Sequence, residues 1–138
     1  NKRNSMKSSE CPFLPRYNKA RIELVSENAN RGLPFMRPLF LEFEADLPGC
    51  TIQDEYLLGS DLLIAPVLQQ GARTRELHLP FGNWVHLWTG TGNTVTNNAL
   101  GNEITVAAPI GESPVFCRAD SCWRSIFEKA VDVARGLK

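Results

Sequence analysis

YLLGSDLLIAPV, residues 56–67, begins like the end of a helix and finishes like a buried strand. It divides in two. DEYLLG, residues 54–59, has the pattern of one or two helical turns ended by Gly59. Leu62 to Val67 is a continuous apolar run stopped at Ala65-Pro66, as expected of a strand covered on both faces. Such a strand needs a layer on each side, so the rest of the sequence must supply them.

Upstream, residues 17–31 carry a helical pattern. Tyr17, Ala20, Leu24 and Val25 share one face and Ile22 lies off it. Gly32 is placed to cap the helix, and Pro34 forbids its continuation. FMRPLFLEF, residues 35–43, is apolar on both parities and reads as a second fully buried strand. Arg37 within it requires a carboxylate or carbonyl partner, as a structural ion pair or as a substrate contact. Residues 44–56 form a turn-rich loop around Pro48-Gly49. Residues 1–12 are polar and aperiodic and read as a disordered N-terminal segment.

Downstream of Gln70-Gly71 the texture changes. RTRELHLP (73–80) alternates, with Leu77 and Leu79 on one face. NWVHLWTG (83–90) sets Trp84, His86 and Trp88 against Val85 and Leu87. NEITVAAP (102–109) and SPVFCRA (113–119) are two more short strands. Gly, Asn and Pro separate them, which predicts an antiparallel sandwich. GNTVTNNALGNE, residues 92–103, reads as a long loop between strands. Residues 121–137 form an amphipathic helix in which Trp123, Ile126, Phe127, Ala130 and Ala134 follow the i, i+3, i+4, i+7 rule. Asp120 or Ser121 is its expected cap.

The organisation expected is therefore an α/β remnant followed by an all-β antiparallel sandwich with a C-terminal helix. Residues 13–67 are the end of a larger α/β unit, 68–120 a small β-sandwich and 121–138 the helix. A lone helix and two buried strands leave apolar faces uncovered. The chain does not start with Met, and it is expected to be a piece of a longer protein.

Composition narrows the function. The 15 basic and 15 acidic residues cancel, so charge offers no reason to expect nucleic acid or an anionic membrane as partner. No apolar run approaches the ~20 residues of a membrane span. The basic, polar N-terminus is not a secretory signal. Cys11, Cys50, Cys117 and Cys122 form no CxxC pair, so no zinc site and no cofactor is expected. Scattered thiols without an Asn-x-Ser/Thr sequon point to a reducing, cytoplasmic compartment.

No residue stands out as catalytic, substrate-binding or metal-ligating. Glu42, Glu44, Asp46, Asp54 and Glu55 lie in the loop or at its edges, where solvated charge is the normal finding. Asp61 precedes a strand and is read as bonding nearby backbone amides. His78 and His86 lack a nucleophile partner in sequence, and Ser60, Ser113 and Ser121 lack a GxSxG setting. TGTGN, residues 89–93, has neither the strand-to-helix setting nor the lysine of a phosphate loop. Trp84, His86 and Trp88 are either half of the sandwich core or a sugar-stacking platform, with core favoured.

Three blocks, GLPFMRPLFLEF (32–43), the run of residues 54–90 and APIGESPVFCRADSCWRSIF (108–127), resemble in order and spacing the C-terminal part of glycoside hydrolase family 31. The family holds α-glucosidases, α-xylosidases and sulfoquinovosidases. NWVHLWTG and the ending PVFCRADSCWRSIFEKA resemble the sulfoquinovosidase branch, whose members release a 6-sulfonated glucose. The resemblance implies that FMRP is the last strand of a (β/α)8 barrel, that residues 17–31 are the helix before it, and that residues 56–59 close its last helical unit. It implies retaining double displacement by two aspartates. Both lie upstream, so no catalytic residue carries over, the isolated chain is expected to be inactive, and the missing barrel and a carbohydrate substrate are its implied partners. Read from the residues alone, a free-standing sandwich that binds carbohydrate or a partner protein without catalysis stays open, as does a non-functional gene fragment.

Overall fold

The computed structural model describes residues 14–136, so the disordered segment expected at 1–12, and Cys11 with it, lies outside the described residues. Helix α1, Leu14–Asn30, begins somewhat before the expected 17–31. Strands β1 (Met36–Arg37), β2 (Tyr56–Leu58), β3 (Leu62–Ile64), β4 (Thr74–Leu79), β5 (Gly82–His86), β6 (Gly92–Val95), β7 (Asn102–Ala107) and β8 (Val115–Arg118) follow, and helix α2 spans Arg124–Gly136.

Among the described residues every strand pairing is antiparallel. Six strands form one sheet in the order β1-β2-β3-β8-β5-β6, and β4 and β7 form a separate ribbon. The ribbon packs on one face of the sheet. Leu77 and Leu79 of β4, with Ile104 and Val106 of β7, meet Leu57, Leu63, Trp84 and Phe116 in the main core. The opposite face carries α2: Cys117 and Leu87 contact Phe127, joined by Leu62, Val115, Trp123, Val131 and Leu24 of α1. Alternation makes this possible, since Leu63 and Phe116 point to the ribbon while Leu62 and Cys117 point to the helices. Burying one large apolar side chain in such a core contributes roughly 1.5–3 kcal/mol. The architecture is thus the expected antiparallel one with a C-terminal helix.

Three local expectations are corrected. Residues 54–59 are not helical. Tyr56, Leu57 and Leu58 form β2, which pairs with β3 at Tyr56↔Ile64, Leu57↔Leu63 and Leu58↔Leu62. Gly59, at φ +64, opens the three-residue connection that no helical turn could make, and its amide N–H donates to the Phe35 carbonyl at 2.7 Å. The opening stretch is a β-hairpin.

FMRPLFLEF is not one strand. Pro38 has no N–H for a ladder, and after Met36–Arg37 the chain turns into a 3-10 helix at Leu39–Leu41. Arg37 and Leu39 are buried while Met36 and Phe40 are exposed, so only one side is covered among the described residues. β1 runs antiparallel to β2, with Met36 opposite Leu58 and Arg37 opposite Leu57.

The segment 92–103 is not all loop. Gly92 to Val95 form β6 against β5, with Val95 buried opposite Gly82, and Asn102 and Glu103 already belong to β7.

Candidate functional site

The loop carboxylates do not stay in solvent. Asp46 and Glu55 are buried, and the fold brings both to His78 on β4. Asp46 follows the first 3-10 turn, where its Oδ1 accepts the Gly49 N–H at 3.1 Å. Its Oδ2 lies 2.6 Å from His78 Nε2. Glu55 sits just before β2, and its Oε1 accepts the backbone N–H of His78 at 2.7 Å. Gly101 closes over the imidazole so tightly that a Cβ there would lie 2.5 Å from the ring. Glu55 Oε2 and His78 Nδ1 are sealed from solvent without a hydrogen-bond partner. Burial pushes the Glu55 carboxyl up from 4.5 to about 7, with Asp54 adding to it; the His78 amide, Arg75 and the His78 ring oppose.

Asp46 and His78 form the carboxylate–imidazole half of a nucleophile-activating constellation, but no hydroxyl or thiol bonds the other ring nitrogen. The cluster therefore has the parts for holding a proton and three chain segments, not for attacking a substrate. Among the described residues no group of three or more His, Cys, Asp or Glu side chains is arranged to hold a metal ion.

The remaining candidates fall into separate structural pairs. Arg37 is fully buried: its guanidinium pairs with Glu42 and Asn28 Oδ1 and donates to the Pro34 carbonyl at 2.9 Å. Its side chain is closed off from solvent among the described residues, which favours the structural ion pair over a substrate contact. Asp54 pairs with Arg75 at 2.8 Å. The Asp61 carboxylate does not bond backbone amides as expected; it accepts from Ser60 Oγ and, at 2.7 Å, from Ser121 Oγ. Ser121 Oγ in turn accepts the Trp123 N–H at the start of α2. Glu44 is exposed. The buried Cys117 thiol is pushed up to about 12 by burial first, which leaves it unreactive.

Of the aromatic set, Trp84 and His86 on β5 are buried in the core and Trp88 is not. Trp84 is fully buried, with Nε1 donating to the Pro80 carbonyl at 2.9 Å. Trp88 lies beyond the strand; its Nε1 donates to the Ser113 carbonyl, and Arg135 stacks on its ring. His86 is buried edge-on to Phe116, and burial lowers its pKa from 6.5, against the pull of Glu112. A groove of about 420 Å³ between the β5–β6 hairpin and β7 is lined by His86, Thr89, Thr91, Asn93 and Thr105. Its polar groups are largely spent: Thr89 Oγ1 is shared between His86 Nδ1 and Thr91, and His86 Nε2 is sealed off.

Sequence reasoning missed the Asp46–Glu55–His78 cluster because its members lie 32 and 23 residues apart. Acid-rich loops usually stay solvated, and only the register of β4 could have brought these together.

Comparison with known proteins matches residues 32–122 to the glycosyl hydrolase family 31 C-terminal domain. The chain is 50% identical over 105 residues to a sulfoquinovosidase of Escherichia coli K12, covering 76% of this chain and 15% of that protein. It is 47% identical over 107 residues to a sulfoquinovosidase of Agrobacterium fabrum, covering 77% and 15%. Among solved structures, a family 31 sulfoquinovosidase from E. rectale, bound to an aza-sugar inhibitor, superposes with a TM-score of 0.73 at 43% identity. That match covers 88% of this chain and 17% of the other. The chain thus spans about 15% of the length of the curated relatives it matches.

Proposed function

This chain belongs to glycosyl hydrolase family 31, and on that premise we propose that it is the C-terminal portion of a retaining α-glycosidase of sulfoquinovosidase type. The identity to two sulfoquinovosidases, 50% and 47%, carries the substrate assignment. In this reading the two catalytic aspartates stand on a (β/α)8 barrel outside these residues, and this portion buttresses the barrel. Residues 13–67 lead out of the barrel, 68–120 supply the small sandwich and 121–138 the docking helix. The seam lies inside one sheet, where β3 pairs with β8.

Exposure supports a missing neighbour. Ile22 and Val25 of α1, together with Met36 and Phe40, are large apolar side chains facing solvent. Leu24 alone of the apolar α1 residues with described side chains and large size packs against the helix-side cluster. Large apolar side chains left exposed in this number are what a chain leaves when another unit covers them.

The test is an assay of the intact protein on 4-nitrophenyl α-sulfoquinovoside and 4-nitrophenyl α-glucoside. The expected result is a kcat/KM preference of about a hundredfold or more for the sulfonated substrate, since a site built for a charged group rejects the analogue lacking it. Product released first as the α-anomer would confirm retention. Preference for the glucoside would assign the protein to the α-glucosidases instead. Residues 1–138 alone should turn over neither.

A further inference from the structure

The proposed glycosidase role makes no use of Glu55, yet the fold surrounds it closely. Among the described residues β7 is the only strand paired with β4, so the His78 N–H that Glu55 accepts points to the ribbon's outer edge. That bond ties the segment leading into β2 to β4. The Asp46–His78 contact ties the start of the same segment to the same strand. Residues 46–55 are therefore fastened at both ends to one residue, His78.

The surroundings of the carboxyl are unbalanced. A cavity of about 210 Å³ beside it is lined by Asp54, Arg75, Glu76, His78 and Glu103 as well as Glu55. Arg75 is the cation there, and its guanidinium is already committed. Nε donates to the Pro66 carbonyl at 3.0 Å, Nη1 to the Glu76 carbonyl at 2.6 Å, and Nη2 pairs with Asp54. On the far side of His78, Asp46 adds another acid. An ionised Glu55 would accept the His78 N–H more strongly, but its second oxygen would hold charge sealed from solvent without a partner, with the Asp54 carboxylate opposing it further.

We propose that Glu55 is a proton-operated latch: protonated, it holds residues 46–55 on the outer edge of β4, and ionised, it releases them. Burial outranks the opposing contacts of Glu55 and raises its pKa to about 7. A group raised in the closed state stabilises that state fully below its ordinary value of 4.5. The contribution is lost as pH rises through about 7 and is level above it. Opening exposes the edge of β4 and the imidazole of His78 to water. The inference does not depend on which glycoside the protein cleaves.

The test is amide hydrogen exchange of the intact protein at pH 5 and pH 8, normalised to an unstructured reference peptide. Peptides covering 46–55 and 74–79 should open about tenfold or more at pH 8 relative to pH 5, while β8 stays constant. Glu55→Gln keeps an acceptor for the His78 N–H and cannot ionise, so its exchange should be independent of pH. Equal protection at both pH values in the wild type overturns the latch, as does a Glu55→Gln variant that keeps the rise. If Glu55→Gln does not fold, Asp54→Asn decides. Removing that facing carboxylate should move the opening midpoint to lower pH, and an unmoved midpoint overturns the proposal.

Discussion

Asp61 and Ser121 meet side chain to side chain at 2.7 Å although 60 residues separate them. The contact joins the hairpin connection between β2 and β3 to the N-terminus of α2. Ser121 serves both ends of it, donating to Asp61 while accepting the Trp123 N–H. Ser121→Ala removes the cap and the carboxylate's partner together. The expected loss is about 1–2 kcal/mol in urea-unfolding stability. A change within a few tenths would show that water replaces the hydroxyl at both sites.

Arg37 offers a larger effect. Its buried guanidinium links Asn28 of α1, the Pro34 carbonyl and Glu42 after the 3-10 turn. Arg37→Met leaves Glu42 uncompensated and should cost roughly 3–5 kcal/mol. The double variant Arg37→Met with Glu42→Gln should recover part of that loss. Arg37→Lys keeps the charge but not the fork, and is expected to fall between the wild type and Arg37→Met.

Gly101 can be tested against other glycines. It sits at φ +57, and a Cβ would lie 2.5 Å from the His78 ring and 2.7 Å from the Leu79 carbonyl. Gly71 and Gly90 share the positive φ but face open space. Alanine at 71 or 90 should cost about 1 kcal/mol from backbone strain. Alanine at 101 should cost roughly 2–4 kcal/mol, because overpacking adds to the strain. Thermal melts of the three variants in one buffer decide, and equal losses would refute the close packing over His78.

His86 predicts an acid limb. Its pKa is lowered from 6.5 by burial, so the folded state favours the neutral ring. The associated stability is present above 6.5 and is lost as pH falls through the folded value. His86→Gln removes that titration. The stability difference between wild type and variant should be constant above pH 6.5 and shift against the wild type below it. Taking the difference isolates His86 from Glu55, which acts in the opposite direction over an overlapping range.

Much of the sandwich was legible because its signals are local. β4 and β7 carry apolar residues at alternate positions, β5 and β8 are short apolar runs between turn residues, and α2 follows a helical period through Phe127. Where local patterns were short or double-valued, reading failed. Residues 54–59 hold too few positions to separate a helical turn from a strand, and the pairing of Leu57 with Leu63 settles it. The apolar residues at both parities of 35–43 hid the interruption at Pro38. β6, GNTV, is too polar to read as a strand and owes its form to β5. The Asp46–Glu55–His78 cluster is a product of tertiary register, which no spacing along the chain encodes.

The strand order has a consequence for synthesis. β8, the last strand of the described residues, lies between β3 and β5 in the middle of the sheet. A nascent chain that has emerged only as far as residue 114 holds two hairpins, β2–β3 and β5–β6, each with a raw edge waiting for the same late partner. The sheet can close only after residues 115–118 leave the ribosome. Until then each edge is a template for a stranger's strand. A premature stop anywhere before β8 should therefore yield aggregates, not a smaller soluble protein.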